Sequence, residues 1–430
     1  MTDTSIDGLL SFLKNSPSPY HACRELCAMF LAHNFVQLEE KHNWVLETGK
    51  AYFYTRSDAS IVAFKLGQNP VDRGLRLVGA HTDSPCLKVK PCPELDKQGY
   101  ALLGVEVYGG ALLNPWFDRD LSLAGKVTGL TKEGELKSAL VDFKKAIASI
   151  PSLAIHLNRE ANQNKSTNPQ TEMNALLSMK MGNFSFRDLL LGEVNRQNSD
   201  LAFSEILDFN LSFYDVQEPS LIGLENDFIA SARLDNLLSC YLGAEALIHA
   251  GTAQTTVLVC NDHEEVGSRS EAGAQGTLLK DLTCRLVPDE AQRQQMLRHS
   301  MMFSIDNAHG VHPNYADRHD DKHGPVLNQG PVIKFDADQS YASSSETAAF
   351  VRWLASQSDP VPIQGYVTRA DMRCGSTIGP ITASSLGIRT VDIGNPQFAM
   401  HSCRELAGVD DTKYMRVLID RFFATSQLPF

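Results

Sequence analysis

Four short apolar runs punctuate the chain: LRLVGA (75–80), TTVLVC (255–260), MMFSI (301–305) and RTVDIG (389–394). Each is bounded by turn residues, the texture of strands buried on both faces. Elsewhere apolar positions recur at helical spacing. Ile6, Leu9, Leu10 and Leu13 predict one helix, and a second follows Pro19. LDNLLSCYLGAEALIHA (234–250) predicts another, ended by Gly251. SSSETAAFVRWLAS (343–356) begins with serines and Glu346, residues suited to a helix start. VDDTKYMRVLIDRFFATS (409–426) opens on acidic side chains, as the helix dipole favours. Strands alternating with helices imply an α/β fold.

The stretch from Val89 to Leu221 has a different rhythm. YALLGVEVYGGALL and SLAGKVTGL alternate and are broken by glycines, which predicts antiparallel strands. A long polar loop, NREANQNKSTNPQTE (158–172), follows. The expected organisation is a catalytic domain in two parts, 1–88 and 222–430, with a β-rich domain, 89–221, inserted between them. An insert without an obvious site of its own is a natural lid or oligomer interface.

Composition narrows the class. Hydrophobic residues make up 43% and charged residues 21%, as in ordinary soluble proteins. The net charge of −12 and pI of about 5.5 argue against a nucleic-acid binder or a polybasic membrane anchor. MTDTSIDGLLSFLKNSPSPYH lacks the basic and apolar regions of a secretory signal, and no apolar run approaches membrane-spanning length. The nine cysteines are scattered with no CxxC pair, so a reduced, cytoplasmic protein is expected.

Chemistry-bearing residues follow the apolar runs. His81 and Asp83 come after the first, Glu264 and Glu265 after the second, Asp306 and His309 after the third, and His401 after the fourth. Asp235 stands at a predicted helix start. Sites in open α/β sheets form beyond the carboxyl ends of strands. Imidazoles and carboxylates suit zinc and related divalent ions. A pair of such ions wants a shared carboxylate and private ligands. With Asp235 shared and Glu265 and Asp306 private, a hydroxide would complete the charge balance and serve as nucleophile. Glu264 would then be left to move protons. Taken singly, each residue has a plain structural reading: Asp235 caps a helix, Asp306 begins a turn, and the doubled Glu faces water.

Other templates fail. HEEVG (263–267) has Gly267 where HExxH needs histidine, and neither GxSxG nor GxxxxGK[ST] occurs. CGSTIGP (374–380) is glycine-rich without the dinucleotide pattern; it either approaches a substrate or simply turns tightly.

GAHTDSP (79–85), SARLDN (231–236), NDHEEVGS (261–268), SIDNAH (304–309), CGSTIGP and AMHS (399–402) together resemble the M18 metalloaminopeptidases, in the family's order. The likeness is to aspartyl aminopeptidases of bacterial type. It implies a mixed-sheet zinc-exopeptidase fold with an inserted β-rich domain. It also implies two Zn2+ per subunit, other divalent ions being possible. His81 and Asp306 would hold one ion, Glu265 and His401 the other, and Asp235 would bridge them. Glu264 would be general base and acid. The substrates implied are small peptides with a free N-terminus, preferentially Asp or Glu, and the assembly implied is a tetrahedral dodecamer.

Three further positions come from the same likeness. His156, in AIHLNRE, matches a histidine that reaches an active site, by resemblance a neighbouring subunit's. Lys334 and Tyr341, in VIKFDADQSYA, match a segment near the substrate pocket, where Lys334 would pair with an acidic side chain. The competing readings are a two-metal hydrolase of neutral N-termini or other amides, and a non-catalytic peptide-binding scaffold. No partner among nucleic acids or membranes is expected.

Overall fold

The computed structural model describes residues 6–163, 166–179 and 184–430. The chain divides into two compact units. The first comprises Met1–Asp83, Pro219–Met400 and Glu405–Phe430; the second comprises Ser84–Glu218 and His401–Arg404.

In the first unit the four apolar runs become neighbouring strands of one nine-stranded sheet. Thr255–Asn261, Leu75–His81, Met301–Ile305 and Arg389–Gly394 lie side by side in that order, all parallel. Every residue of the first three is buried, so they read as continuous apolar runs rather than alternating ones. Ser60–Lys65 joins one side antiparallel, and Val332–Phe335 the other. Because the four central strands run the same way, the residues that follow them arrive at one edge of the sheet.

Helix Leu234–His249 shares one core with helices Ile6–Asn15, Pro19–Ala32 and Val409–Ala424. Phe303 from the sheet stacks on Phe422 of the last helix, ring centres 3.9 Å apart. Helix Pro19–Ala32 starts as its sequence predicts, with Ser18 as cap and Pro19 in the first turn. Helix Ser345–Ala355 is capped by Ser344, but the reciprocal partner is Thr347, not Glu346. A separate five-stranded sheet is built from pieces of two to four residues, among them Ala308–His309, Pro396–Phe398 and Glu405–Gly408.

The second unit is a six-stranded antiparallel sheet. Its strands include Cys86–Lys97, Tyr100–Tyr108, Leu121–Thr131 and Phe203–Asp215. Helix Phe186–Gln197 buries Phe186, Leu190 and Val194 in the same core. The unit's bounds differ by a few residues from the expected 89–221, and it also takes in His401–Arg404. The polar loop forms a short helix at Pro169–Glu172, and its Asn164 and Lys165 lie outside the described residues. Among the described residues, no helix is long and apolar enough to cross a membrane.

Candidate active site

His81 ends the strand Leu75–His81 with its side chain buried. Its Nδ1 lies 3.1 Å from the carbonyl oxygen of Asp83, so a proton on Nδ1 donates there. Nε2 then faces three carboxylates. Nε2 is 3.4 Å from Asp235 Oδ1, 3.8 Å from Asp306 Oδ2 and 4.0 Å from Glu264 Oε2. Ligand atoms of His81, Asp235 and Glu265 all lie within 4.8 Å of one another.

Each carboxylate is set by its own piece of chain. Asp235 lies at a kink in the first turn of helix Leu234–His249, where its backbone is extended (φ −83°, ψ 105°), and its N–H donates to Glu405 Oε2 at 3.0 Å. Its neighbour Asn236 donates through Nδ2 to the carbonyl of Ile305 at 2.8 Å, tying this segment to the strand before Asp306. Glu264 and Glu265 sit on a single helical turn, Glu264–Val266, framed by left-handed His263 (φ 64°) and Gly267 (φ 91°). The buried carboxylate of Asp83 accepts both of their backbone N–H groups, Glu264 on Oδ1 and Glu265 on Oδ2, at 3.1 Å each. Asp306 follows Met301–Ile305 directly. Gly394 lets the next strand end close against it: any Cβ there would lie 1.7 Å from the Asp306 carbonyl oxygen.

Lys334 is 2% exposed. Its Nζ donates to Asp306 Oδ1 at 3.2 Å and to the carbonyl of Asn307 at 2.9 Å. The ammonium also lies 5.2 Å from the ring centre of buried Tyr341. The remaining two candidates belong to the second unit. His401 has a left-handed backbone (φ 68°) and Nδ1 3.2 Å from the Gly110 carbonyl oxygen. His156 lies exposed in a turn.

The cluster in the first unit sets five carboxylates, Asp83, Asp235, Glu264, Glu265 and Asp306, against His81 and Lys334. Burial pushes the Glu264 carboxyl up to about 8; the charges of Asp306, Asp83 and Asp235 add to this and His81 opposes it. Glu265 is raised well above the carboxylate range, by burial and then by Asp235. Asp306 is raised by burial and Asp235, with Lys334 holding it back. Burial alone would lower the His81 imidazole, but the bonds to Asp235 and Asp83 and the charge of Glu264 raise it well above its ordinary value. Buried anions that raise one another's pKa are a site short of positive charge. An imidazole nitrogen and carboxylate oxygens, with no thiolate, are ligands that fit zinc.

Two of the residues that build the site, Glu405 and Cys240, carry no role in the sequence reading, and a third, Asp83, is read there only as a candidate beside His81. Asp83 stands two positions after His81 and shows its function only when its oxygens are seen on the Glu264 and Glu265 amides. Glu405 reaches Asp235 from 170 residues away. Cys240 donates from Sγ to the His81 carbonyl oxygen at 3.0 Å. Neither of these last two has a local sequence signal.

Known proteins share this arrangement of chain. Residues 12–423 match the family described as aminopeptidase I zinc metalloprotease (M18). The probable M18 family aminopeptidase 2 of Stutzerimonas stutzeri is 54% identical over 432 aligned residues, covering 100% of both chains. That of Pseudomonas putida strain F1 is 55% identical with the same coverage. Among solved structures, a chain of the Ape4 and Nbr1 complex superposes with a TM-score of 0.92 at 37% identity, covering 97% of this chain and 84% of its own. The S. cerevisiae mApe1 dodecamer gives 0.84 at 28% identity, covering 97% of this chain and 95% of its own. With its mixed α/β fold and a nearly full-length match, this chain belongs to the M18 family of zinc aminopeptidases.

Proposed function

We propose that the enzyme releases N-terminal residues, Asp and Glu in preference, from short peptides, using two zinc ions and Glu264 as general base and acid. The observation that carries this reading is the split between two adjacent glutamates. One carboxylate, Asp83, holds both of their amides. Glu265 groups with His81 and Asp235, their ligand atoms within 4.8 Å of one another, while Glu264 does not join that group, its Oε2 being 4.0 Å from His81 Nε2.

His81 and Asp306 would hold one ion, Glu265 the other, and Asp235 both. His401 joins Glu265 by motif likeness alone. Zinc at these positions supplies Lewis-acid polarisation of the scissile carbonyl and a lower pKa for the attacking water. Glu264 takes the proton from that water and passes it to the leaving amine. A carboxyl positioned beside the attacking water can do both, as base and then as acid. An ammonium has three N–H donors. Lys334 uses two on Asp306 and Asn307, which leaves one for an acidic side chain at the start of the peptide. His156 orients substrate, by likeness in a neighbouring subunit. A homo-oligomer agrees with the dodecamer formed by the mApe1 relative.

The test is the initial rate of residue release by the zinc-loaded enzyme from matched peptides beginning with Asp, Glu, Leu or Lys. Faster release of Asp and Glu is expected. Equal rates for Asp and Leu would remove the acidic preference and leave an aminopeptidase of neutral N-termini.

A further inference from the structure

Beside the site lies a second feature that the mechanism does not use. A cavity of about 290 Å³ opens among His309, His312, Arg318, His319, Arg373 and Gln397, and no carboxylate lines it. This is unusual on a chain with a net charge of −12. Four of its lining side chains offer donors, because their acceptors are already filled. His312 Nδ1 accepts the Asn314 amide at 3.2 Å, so its proton sits on Nε2. His319 Nε2 accepts the His312 amide at 3.4 Å, so its proton sits on Nδ1. Gln397 Oε1 accepts from Asn307 Nδ2 at 2.8 Å, and its buried Nε2 has no partner among the described residues. The hydroxyl of Tyr366, also on the wall, accepts from Thr368 at 3.2 Å and keeps its own hydrogen to give.

Two lining arginines, Arg318 and Arg373, add charge. Among the described residues, the ion pair of Arg318 is with Asp317 at 4.0 Å, an exposed pair worth little. Arg369 donates to the carbonyl of Asp317 and to the carboxylate of Asp371, and so ties the loop of Arg318 to the loop of Arg373. The cavity is also next to the chemistry. His309 is three residues past Asp306, and Tyr366 is the strand partner of Lys334, whose ammonium holds Asp306. Its volume lies at the small end for ligand sites, about 300–1,000 Å³, enough for the end of a peptide and not for a folded chain.

We infer that this cavity is a carboxylate subsite that takes the C-terminal carboxylate of a short peptide whose N-terminus lies at the zinc site. It rests on the peptide-hydrolase reading above. Arginine forks match a carboxylate's two oxygens, and imidazole, amide and phenol donors complete its lone pairs. The subsite would favour peptides short enough to place both ends at once.

The test uses the zinc-loaded enzyme and tripeptides ending in a free acid or an amide, each made with Asp and with Leu at the N-terminus. For the parent enzyme, KM for the amide should exceed KM for the acid by about tenfold, the effect of one lost charge-assisted contact. In Arg318→Gln/Arg373→Gln that ratio should fall to near one, and Arg318→Lys/Arg373→Lys should restore part of it. Equal KM for acid and amide in the parent would overturn the assignment, as would a tenfold ratio that survives in the Gln variant. A Gln variant that loses its Asp-over-Leu preference but keeps the acid-to-amide ratio would also overturn it, because the cavity would then read the N-terminal side chain. Both N-termini are tested, so loss of the Asp preference alone would sink the previous proposal and leave this one standing.

Discussion

Lys334 Nζ donates to Asp306 Oδ1 at 3.2 Å, with both side chains nearly buried. Removing one partner of a buried ion pair leaves the other uncompensated, at a cost of about 3–5 kcal/mol. Asp306 is already raised by burial and by Asp235, and without Lys334 it would hold a proton more tightly and compete with zinc for it. Lys334→Met should therefore need about tenfold more zinc for half-maximal activity, within the range seen when supporting contacts of a metal ligand are lost. It should also lose the preference for Asp over Leu. A zinc titration and a two-peptide assay check this; no change in either would remove both roles from Lys334.

Asp83 acts through the two glutamates. Replacing it with Ala leaves the amides of Glu264 and Glu265 without their shared acceptor and takes away a carboxylate 3.4 Å from His81 Nδ1. We expect kcat at saturating zinc to fall about 10–100-fold. Asp83→Asn, which keeps one oxygen, should fall between Ala and the parent. A kcat in Asp83→Ala equal to the parent's would mean that the turn Glu264–Val266 holds itself.

The main frame of this fold is legible in the sequence because burial on both faces leaves strands with a continuous apolar signature. LRLVGA, TTVLVC, MMFSI and RTVDIG all become strands of one sheet, and the residues after three of them, His81, Glu265 and Asp306, bear on the site. The five-stranded sheet was not legible, because strands of two to four residues are shorter than any periodicity can show. Lys334 reads as a surface or pocket lysine until the register of its strand carries it under Asp306. Glu405 cannot be paired with Asp235 by spacing, since the contact spans two separate strand–helix segments. Motif likeness names the candidate ligands and bases more readily than the buried groups that aim them.

Asp411, outside the site, gives a pH-dependent prediction. In the first turn of helix Val409–Ala424 it accepts the amides of Asn328 at 2.6 Å and Gly330 at 2.8 Å. Burial nonetheless pushes its carboxyl up to about 6. A carboxyl raised on folding binds more protons in the folded chain than in the unfolded one. Its contribution to stability is full below the unfolded pKa, near 4, and is lost as pH rises through about 6. Asp411→Asn removes this dependence. The stability of the variant relative to the parent should therefore improve by about 1 kcal/mol between pH 5 and pH 7. Denaturant melts at the two pH values check this, and a constant difference would mean that Asp411 titrates normally.

The most direct test of the account is Glu264→Gln, measured for zinc content and for release of an N-terminal Asp from a short peptide. Gln keeps the shape of Glu264 but cannot carry a proton between water and amine. The account predicts about two zinc ions per chain in both parent and variant. It also predicts a rate in the variant lower by about 10³-fold, within the 10²–10⁴ range for loss of a general acid–base group. A variant that binds zinc fully and releases Asp at the parent's rate would contradict it.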